Sequence, residues 1–310
     1  MRLQTVASAL LFAAAPIAMA DNQLPSIGHE TVIVPSGARR LKAFLWTPPR
    51  TGPFPAVLFN HGSGGADAAH TAGLPITEAA EKLAPLFLKH GYAFLYLFRR
   101  GQGLSADQGS FMQDILQREE RTKGKDVRQH LQFSLLTTDH LDDVTSALSF
   151  LKTAPAIDAR RIAVAGHSFG GQLTLLAAER DNTLRAAVAF AAGAGSWERS
   201  PELRKRLLTA VDNAKAPIML VQAANDYSTA PSRALADELD RLHKPYLLKI
   251  YPPVGRHRTM DTTSSTLASI NGRMMSSDFW MNTSNIDRFG AVAKAKKSVS
   301  SALSAVKEKK

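Results

Sequence analysis

A serine framed by glycines carries the strongest chemical signal in the sequence. The segment Gly166-His-Ser-Phe-Gly170 has the spacing G-x-S-x-G, between the apolar run Arg161–Ala165 and a helical stretch that begins at Leu173. A strand–turn–helix of this kind needs glycines, because the serine backbone is strained and the helix packs close to the strand. The turn lifts the hydroxyl of Ser168 to a helix N-terminus, where the helix dipole favours developing negative charge. We predict that Ser168 is a nucleophile; the alternative is a structural Gly-rich turn.

A serine nucleophile requires a histidine base, and the chain offers nine histidines. In the order nucleophile, acid, base, the histidine follows a strand late in the chain. Only His243 and His257 come after the later apolar runs. His243 precedes the run Tyr246–Tyr251 and is therefore expected at the opposite edge of the sheet, whereas His257 follows that run. His257 is the predicted base, and an ordinary loop histidine is the alternative.

The acid that orients the base should follow the preceding strand. Asp226 stands there, directly after the apolar run Pro217–Val221, whereas Asp237 and Asp240 belong to the next helical pattern and are typical of a solvated face. Asp226 is the predicted acid. The alternative is an aspartate that only caps a turn.

An oxyanion hole needs two backbone N–H groups held in place before the reaction. The residue after the nucleophile, Phe169, supplies one. The loop after an early apolar run, His61-Gly-Ser-Gly-Gly65, is expected to supply the other, with Ser63 as first choice and Gly64 as second. The side chain of Ser63 lacks the G-x-S-x-G setting of a nucleophile, and His61 is interpreted as a residue that braces the loop.

Apolar runs alternate with helical patterns along the chain. Continuous apolar runs of this length are typical of buried parallel strands, and their alternation with helices predicts an α/β fold with one doubly wound sheet. The predicted strands are Thr31–Val34, Leu41–Trp46, Pro55–Phe59, Tyr92–Phe98, Arg161–Ala165, Ala186–Phe190, Pro217–Val221 and Tyr246–Tyr251. Ligands bind outside the carboxyl ends of such strands, which is where Ser168, Asp226 and His257 stand.

The helical patterns are clearest where apolar residues recur every three or four positions. Asp142–Lys152 and Ser232–His243 are predicted to be helices on this basis. An earlier helix should end at Gly91 and be kinked or started by Pro85. The charge-dense stretch Arg118–Arg128 is interpreted as a solvated loop or insertion.

The composition excludes several kinds of site. The chain has 310 residues, 45% of them hydrophobic and 21% charged, as expected for a folded globular protein, and it contains no cysteine. Disulfide frameworks, thiolate zinc sites, iron–sulfur clusters and cysteine nucleophiles are therefore excluded. The serine chemistry predicted above requires neither a metal nor a cofactor.

The first twenty residues have the pattern of a secretory signal peptide. Arg2 precedes the uncharged run Leu3–Ile17, and the small residues Ala18-Met-Ala20 follow. We expect cleavage after Ala20 and export to the periplasm or beyond; a retained N-terminal anchor is the alternative. Polar residues interrupt the run, and no other stretch approaches the ~18–20 apolar residues that span a bilayer.

The formal net charge of +11 is concentrated near the C-terminus. Residues 294–310 hold six lysines and one glutamate, a local net charge of +5, and Val292, Val299 and Leu303 have helical spacing there. A solvated basic helix is predicted, with weak contact to a polyanion or a membrane surface as the alternative and no nucleic-acid partner.

The sequence leaves two further properties open. It does not indicate the oligomeric state, and the sequon at Asn282 would matter only in a host that glycosylates its proteins.

These motifs together resemble the α/β-hydrolase superfamily. The segments HGSGG from His61, RRGQGLS from Arg99, GHSFGG from Gly166, AND ending at Asp226 and GRH ending at His257 are most similar to dienelactone-hydrolase-like proteins and prolyl-oligopeptidase-type catalytic domains. The resemblance implies that residues 21–310 form one domain. It also implies a mostly parallel eight-stranded sheet with its second strand antiparallel and with helices on both faces.

The departures from that branch bear on function. Dienelactone hydrolases proper use a cysteine nucleophile, which this chain lacks, and the peptidase members carry a propeller domain for which it is too short. The resemblance therefore implies a serine hydrolase that cleaves carboxylic esters of small substrates through an acyl-enzyme. An acyl- or dipeptidyl-type serine peptidase and a non-catalytic binding protein are the alternatives. Arg258 follows the predicted base where a small residue is more usual.

Arginines near the predicted site suggest that the substrate carries a negative charge. Arg99 and Arg100 end one predicted strand, and Arg256 and Arg258 flank the predicted base. These guanidinium groups could hold a carboxylate-bearing substrate; solvated or ion-paired arginines are the alternative. The segment from Ala191 to Arg206 is a candidate lid whose Trp197 would face the pocket.

Overall fold

The computed structural model describes residues 28–63 and 75–253. The predicted signal peptide, Gly64, Arg256, His257, Arg258, the sequon and the basic C-terminal segment lie outside the described residues. No helix in the described ranges is long and apolar enough to cross a membrane.

Eight strands form one sheet in the order β1-β2-β4-β3-β5-β6-β7-β8. The strand β2 is antiparallel to both β1 and β4, and all other neighbours are parallel. This confirms the predicted α/β class, the eight strands and the antiparallel second strand. The strands are β1 Glu30–Ser36, β2 Arg39–Trp46, β3 Phe54–Asn60, β4 Ala93–Leu97, β5 Ile157–His167, β6 Ala187–Phe190, β7 Ile218–Ala223 and β8 Tyr246–Tyr251.

Seven α-helices and one 3-10 helix connect the strands in the described part of the chain. The α-helices are α1 Pro75–Lys89, α2 Met112–Lys123, α3 Lys125–Thr137, α4 Asp139–Thr153, α5 Phe169–Arg180, α6 Pro201–Asn213 and α7 Ala230–Arg241, and the 3-10 helix is Gly103–Gln108. The two helices predicted from periodicity correspond to α4 and α7.

Alternate side chains of the central strands enter two separate cores, one on each face of the sheet. In β3, Ala56 and Leu58 belong to the core beneath α2 to α7, whereas Val57 and Phe59 belong to the core beneath α1. The α1 side is rich in aromatic rings, and Phe87 stacks on Phe94 with 4.6 Å between the ring centroids. Such a pair adds about 0.5–1.5 kcal/mol beyond its buried area. Helices on both faces, as predicted, clamp the sheet and so fix the positions of its strand ends.

The charge-dense stretch Arg118–Arg128 is helical, so its interpretation as a solvated loop was wrong. It contains the end of α2 and the start of α3, which are separated at Gly124. Buried Leu116 and Leu136, outside the charged stretch, anchor the two helices to the core. Charges cover the outer surface, where the Lys123 ammonium lies 2.8 Å from Glu119 at the favourable i,i+4 spacing. The sequence interpretation failed because the apolar anchors lie outside the window that contains the charges.

Candidate active site

The turn between β5 and α5 holds Ser168 in a strained backbone conformation. Its φ is 55° and its ψ is −116°, a combination that non-glycine residues adopt rarely and at a cost of order 1–3 kcal/mol. The Ser168 N–H donates to the carbonyl of Phe190 at 2.8 Å, and the Ser168 carbonyl accepts from Gln172 at 3.1 Å. Because the neighbouring strand and the helix both hold its backbone, the side chain projects from a fixed point at the carboxyl edge of the sheet.

Glycines around Ser168 allow the backbones of β3, β5 and α5 to approach one another closely. A methyl group on Gly166 would overlap the carbonyl of Gly170, and one on Gly170 would overlap the carbonyls of Asn60 and His61. The end of β3 and the start of α5 therefore touch through main-chain atoms. This contact brings the loop after β3 to Ser168.

The loop after β3 borders Ser168. A methyl carbon built on Gly62 would stand 3.7 Å from the β-carbon of Ser168, and half-buried Ser63 is the next residue. On the other side, Phe169 is the first residue of α5, so its N–H has no partner within the helix. Ser63 and Phe169, two of the three predicted oxyanion residues, thus belong to the two segments that border Ser168: Ser63 follows Gly62 in the loop after β3, and Phe169 follows Ser168 itself.

The turn after β7 places Asp226 at the same edge of the sheet. Its carboxylate accepts the N–H of Tyr227 at 2.7 Å and the side-chain amide of Gln222 at 3.1 Å. Asp226 is half-buried, whereas Tyr227 is 55% exposed. β8, the strand after which the predicted base follows, ends at Tyr251 beside β7. His243 follows α7 and precedes β8, at the opposite edge, as predicted.

Three buried histidines lie near the Ser168 turn, and burial keeps all three neutral. His167 precedes Ser168, His61 lies in the loop after β3, and His140 packs edge-on against the Phe169 ring with 5.4 Å between centroids. Burial lowers the pKa of His167 to about 4, against an opposing contribution from the negative charge of Asp226. Burial, followed by the positive charge of Arg99, lowers the pKa of both His61 and His140 well below the usual range. Burying a neutral imidazole costs less free energy than burying an imidazolium. The buried positive charges in this region are therefore those of Arg99 and Arg100.

The adjacent residues Arg99 and Arg100 have different partners. Arg100 is an ion-pairing residue: its Nη2 lies 2.6 Å from the Asp143 carboxylate and its Nη1 lies 2.8 Å from Asp139. The fully buried Arg99 contacts the loop after β3, donating to the Gly62 carbonyl at 2.8 Å. Neither guanidinium presents a free face to solvent.

Trp197 is part of the core, so the candidate lid was wrongly interpreted. The ring is 5% exposed and packs in the core beneath the helices. The following helix, α6, buries Leu203, Leu207 and Val211 against that same core. A helix with such an apolar face gains about 1.5–3 kcal/mol for each fully buried large side chain. The segment is therefore an integral layer of the fold.

A profile of the dienelactone hydrolase family matches residues 99–272, which is more than half of the chain. The chain belongs to the dienelactone hydrolase family. It is accordingly a hydrolase with an α/β-hydrolase fold. The matched region contains Ser168, Asp226 and His257. No curated protein sequence matches the chain.

Solved structures similar to this chain include dienelactone hydrolases and peptidases. A candidate dienelactone hydrolase from Klebsiella pneumoniae is 18% identical with a TM-score of 0.56, covering 80% of this chain and 98% of its own. The dienelactone hydrolase from Anabaena variabilis is 19% identical with a TM-score of 0.54, covering 83% and 98%. The acylaminoacyl peptidase of Pyrococcus horikoshii is 17% identical with a TM-score of 0.58 over 84% of this chain. This chain spans only 42% of that peptidase, and at these identities the likeness shows the fold alone.

The described residues contain no group of three or more histidine or acidic side chains that could hold a metal ion.

Two glutamines at the site were missed by sequence reasoning. The side-chain amide of Gln102 donates to the Ser63 carbonyl at 2.7 Å, and that of Gln222 donates to Asp226. Both side chains are 1% exposed. The sequence gives only a weak signal for these contacts. Gln102 directly follows Arg100-Gly101, and Gln222 stands near the end of an apolar strand.

Proposed function

We propose that this hydrolase cleaves carboxylic esters of small substrates through an acyl-enzyme on Ser168. The observation that carries the proposal is the strained Ser168 backbone, which stands between the Gly62–Ser63 loop and the N–H of Phe169, a donor without a partner inside α5. Preorganised N–H donors beside a nucleophile are what acyl transfer requires, since negative charge develops on the carbonyl oxygen.

The proposed reaction has two steps, acylation of Ser168 and hydrolysis of the acyl-enzyme. His257, oriented by Asp226, takes the proton of the Ser168 hydroxyl while the oxygen attacks the ester carbonyl. The N–H groups of Phe169 and Ser63 hold the oxyanion. His257 returns the proton to the leaving alcohol, and water, deprotonated by His257, releases the acid and restores Ser168.

The test compares Ser168→Ala with a serine variant far from the site. Ser168→Ala should reduce hydrolysis of p-nitrophenyl acetate by at least about 1,000-fold without changing the melting temperature by more than a degree or two. A fluorophosphonate probe should label the wild type and not the variant. Ser149→Ala is the control, because Ser149 is an exposed residue of α4 whose hydroxyl bonds only to its own helix. A folded, active Ser168→Ala protein would falsify the proposal.

Two alternatives are separated by the choice of substrate. Faster cleavage of acyl-peptide p-nitroanilides than of the matched esters would favour the peptidase. A folded wild type that neither hydrolyses esters nor reacts with the fluorophosphonate would favour a binding protein.

Substrate charge is tested at Arg258. If Arg256 and Arg258 hold a carboxylate, Arg258→Ala should lower kcat/KM for a carboxylated ester about tenfold or more and leave a neutral ester unchanged. Equal effects on both esters would rule out this preference.

A further inference from the structure

The loop that follows β4 supports the oxyanion side of the site. Arg99 and Gln102 belong to that loop, and each donates to a successive carbonyl of the loop after β3. The Arg99 guanidinium donates to the Gly62 carbonyl at 2.8 Å, and the Gln102 amide donates to the Ser63 carbonyl at 2.7 Å. Both donors are almost completely buried, with exposed fractions of 0% and 1%.

His61 and Arg99 both lie at the Gly62 carbonyl. The His61 Nδ1 lies 2.7 Å from that oxygen and 3.2 Å from Arg99 Nη2, so the tautomer of the ring sets which of these two contacts is its hydrogen bond. The Arg99 guanidinium donates to the Gly62 carbonyl whichever tautomer is present. Burial keeps the imidazole of His61 neutral, so a second positive charge does not oppose Arg99.

Holding a carbonyl also fixes the N–H of the same peptide unit. In a trans peptide the C=O and the N–H point in opposite directions within one plane. Because the Gly62 carbonyl is bound to Arg99, the Ser63 N–H must point away from Arg99. Gly62 itself lies against Ser168, which places this peptide plane at the nucleophile.

The donors are themselves held rigidly. The backbone of Gln102 donates to the Arg99 carbonyl at 3.0 Å and accepts from Ser105 at 2.9 Å. The neighbouring Arg100 donates its backbone N–H to the Asp143 carboxylate at 3.0 Å, which ties the loop to α4. The loop after β4 is thus a platform anchored on one side to α4 and bound on the other to Gly62 and Ser63.

The guanidinium of Arg99 forms no ion pair with a carboxylate of the described residues. Within residues 28–63 and 75–253, its Nε and Nη1 have no hydrogen-bond partner. Its central carbon lies 5.6 Å from the centroid of the Phe169 ring, on the residue that offers the other N–H of the site. The same arginine therefore contacts both segments that flank Ser168.

We infer that Arg99 and Gln102 are positioning residues that orient the Ser63 N–H toward the developing oxyanion. This inference rests on the proposed function, since it assigns these side chains a role in the same acyl transfer. Neither residue touches the substrate, so loss of either should weaken binding of the transition state and leave ground-state binding nearly unchanged.

The central variant is Gln102→Met, which keeps the volume of the side chain and removes its donor. We expect kcat for p-nitrophenyl acetate to fall about 10- to 100-fold with KM within threefold of wild type, because a displaced oxyanion donor is lost only in the transition state. The affinity for a trifluoromethyl ketone, which forms a tetrahedral oxyanion adduct on serine, should fall by the same factor. A loss of stability alone would lower the folded fraction and with it the apparent kcat, but it would not change the affinity of the folded enzyme for the ketone.

The matched control is Gln132→Met. Gln132 is a half-buried glutamine of α3, a helix that carries none of the residues of the proposed site. This variant should keep kcat and the affinity for the ketone within twofold of wild type. Arg99→Met should show a larger kcat defect than Gln102→Met, and Arg99→Lys, which retains the charge and one donor, should recover part of it.

The outcomes separate this inference from the proposed function. If the wild type is active and labelled by a fluorophosphonate while Gln102→Met matches it in kcat and in affinity for the ketone, the positioning role is wrong and the proposed function stands. A rise in KM at constant kcat would also overturn the positioning role. A wild type that neither turns over esters nor is labelled would overturn both.

Discussion

Two sides of the proposed active site, at one edge of the sheet, are built in different ways. The nucleophile side comprises the ends of β3, β4 and β5 with the start of α5, and its backbones touch directly at Gly166 and Gly170. The acid side is the turn after β7, where Asp226 is held by its neighbour Tyr227 and by the single buried side chain of Gln222. The first is buried and tied to four elements, whereas the second is partly exposed and local.

The difference follows from what each side must do. In the proposed mechanism, the nucleophile side has to hold an attacking oxygen and two N–H donors in a precise arrangement, which packed backbone supplies. The carboxylate of the acid side would act through the base that it orients, and a short turn suffices for that. Substitutions on the nucleophile side should therefore cost stability as well as activity, and those on the acid side mainly activity.

The largest effect is expected at Gly170. Gly170→Ala would drive a methyl group into the backbone carbonyls of Asn60 and His61, which cannot move without separating β3 from α5. We expect a loss of at least about 4 kcal/mol in the free energy of unfolding, measured with urea. Gly195→Ala is the control, since a methyl group there meets nothing within 4 Å. Equal stability of the two variants would contradict the rigid description of the nucleophile side.

The next effect is expected at Asp143, the buried partner of Arg100. Asp143 is 0% exposed and also accepts from the hydroxyl of Ser36 at 2.9 Å. Asp143→Ala leaves a guanidinium buried beside an empty position and should cost about 3–5 kcal/mol in urea unfolding. The adjacent Asp142 pairs at the surface with Arg180, so Asp142→Ala should cost less than about 1 kcal/mol. If Asp143→Ala and Asp142→Ala lowered the free energy of unfolding by similar amounts, burial would not be the reason why the Arg100–Asp143 pair stabilises the fold.

A third effect concerns acid pH. The pKa of His167 is lowered to about 4 by burial, so between pH 6.5 and 4 the unfolded chain binds a proton that the folded chain does not. The free energy of unfolding should therefore fall as the pH drops through this window, by about 3 kcal/mol for His167 alone. The lowered pKa values of His61 and His140 act in the same direction.

The measurement compares urea unfolding at pH 7 and pH 4.5. His167→Asn removes one titrating group and should reduce the difference in stability between the two pH values. His243→Asn makes the same exchange at an exposed histidine and should leave that difference unchanged. A difference that His167→Asn does not alter would refute the neutral buried state of His167.

The smallest effect on stability is expected on the acid side. Gln222→Met removes the donor to Asp226 and to the Ser228 carbonyl, groups that water can reach in a partly exposed turn. We expect a loss of about 1 kcal/mol in the free energy of unfolding. Ester hydrolysis should fall about tenfold, because a less constrained carboxylate orients the base less well. A stability loss as large as that of Asp143→Ala would erase the contrast between the two sides.

Much of the fold was predictable because its signals are local. Buried parallel strands are continuous apolar runs, and the last predicted strand, Tyr246–Tyr251, has the observed bounds. The G-x-S-x-G spacing predicted the turn at Ser168 because only glycine permits its backbone contacts. The helices within Arg118–Arg128 and the buried position of Trp197 were missed, since both depend on partners distant in sequence.

The amino-acid sequence by itself determined the class of fold, the turn that carries Ser168 and the edge of the sheet where Asp226 stands. Only the tertiary structure decided what Arg99 and Arg100 do. Two identical side chains, adjacent in sequence, acquire different roles because successive residues at a strand end point in different directions. One meets the carboxylate of Asp143 on α4, and the other meets the Gly62 carbonyl after β3. The energy of a buried charge is set by the partners that surround it, and those partners come from elements far along the chain.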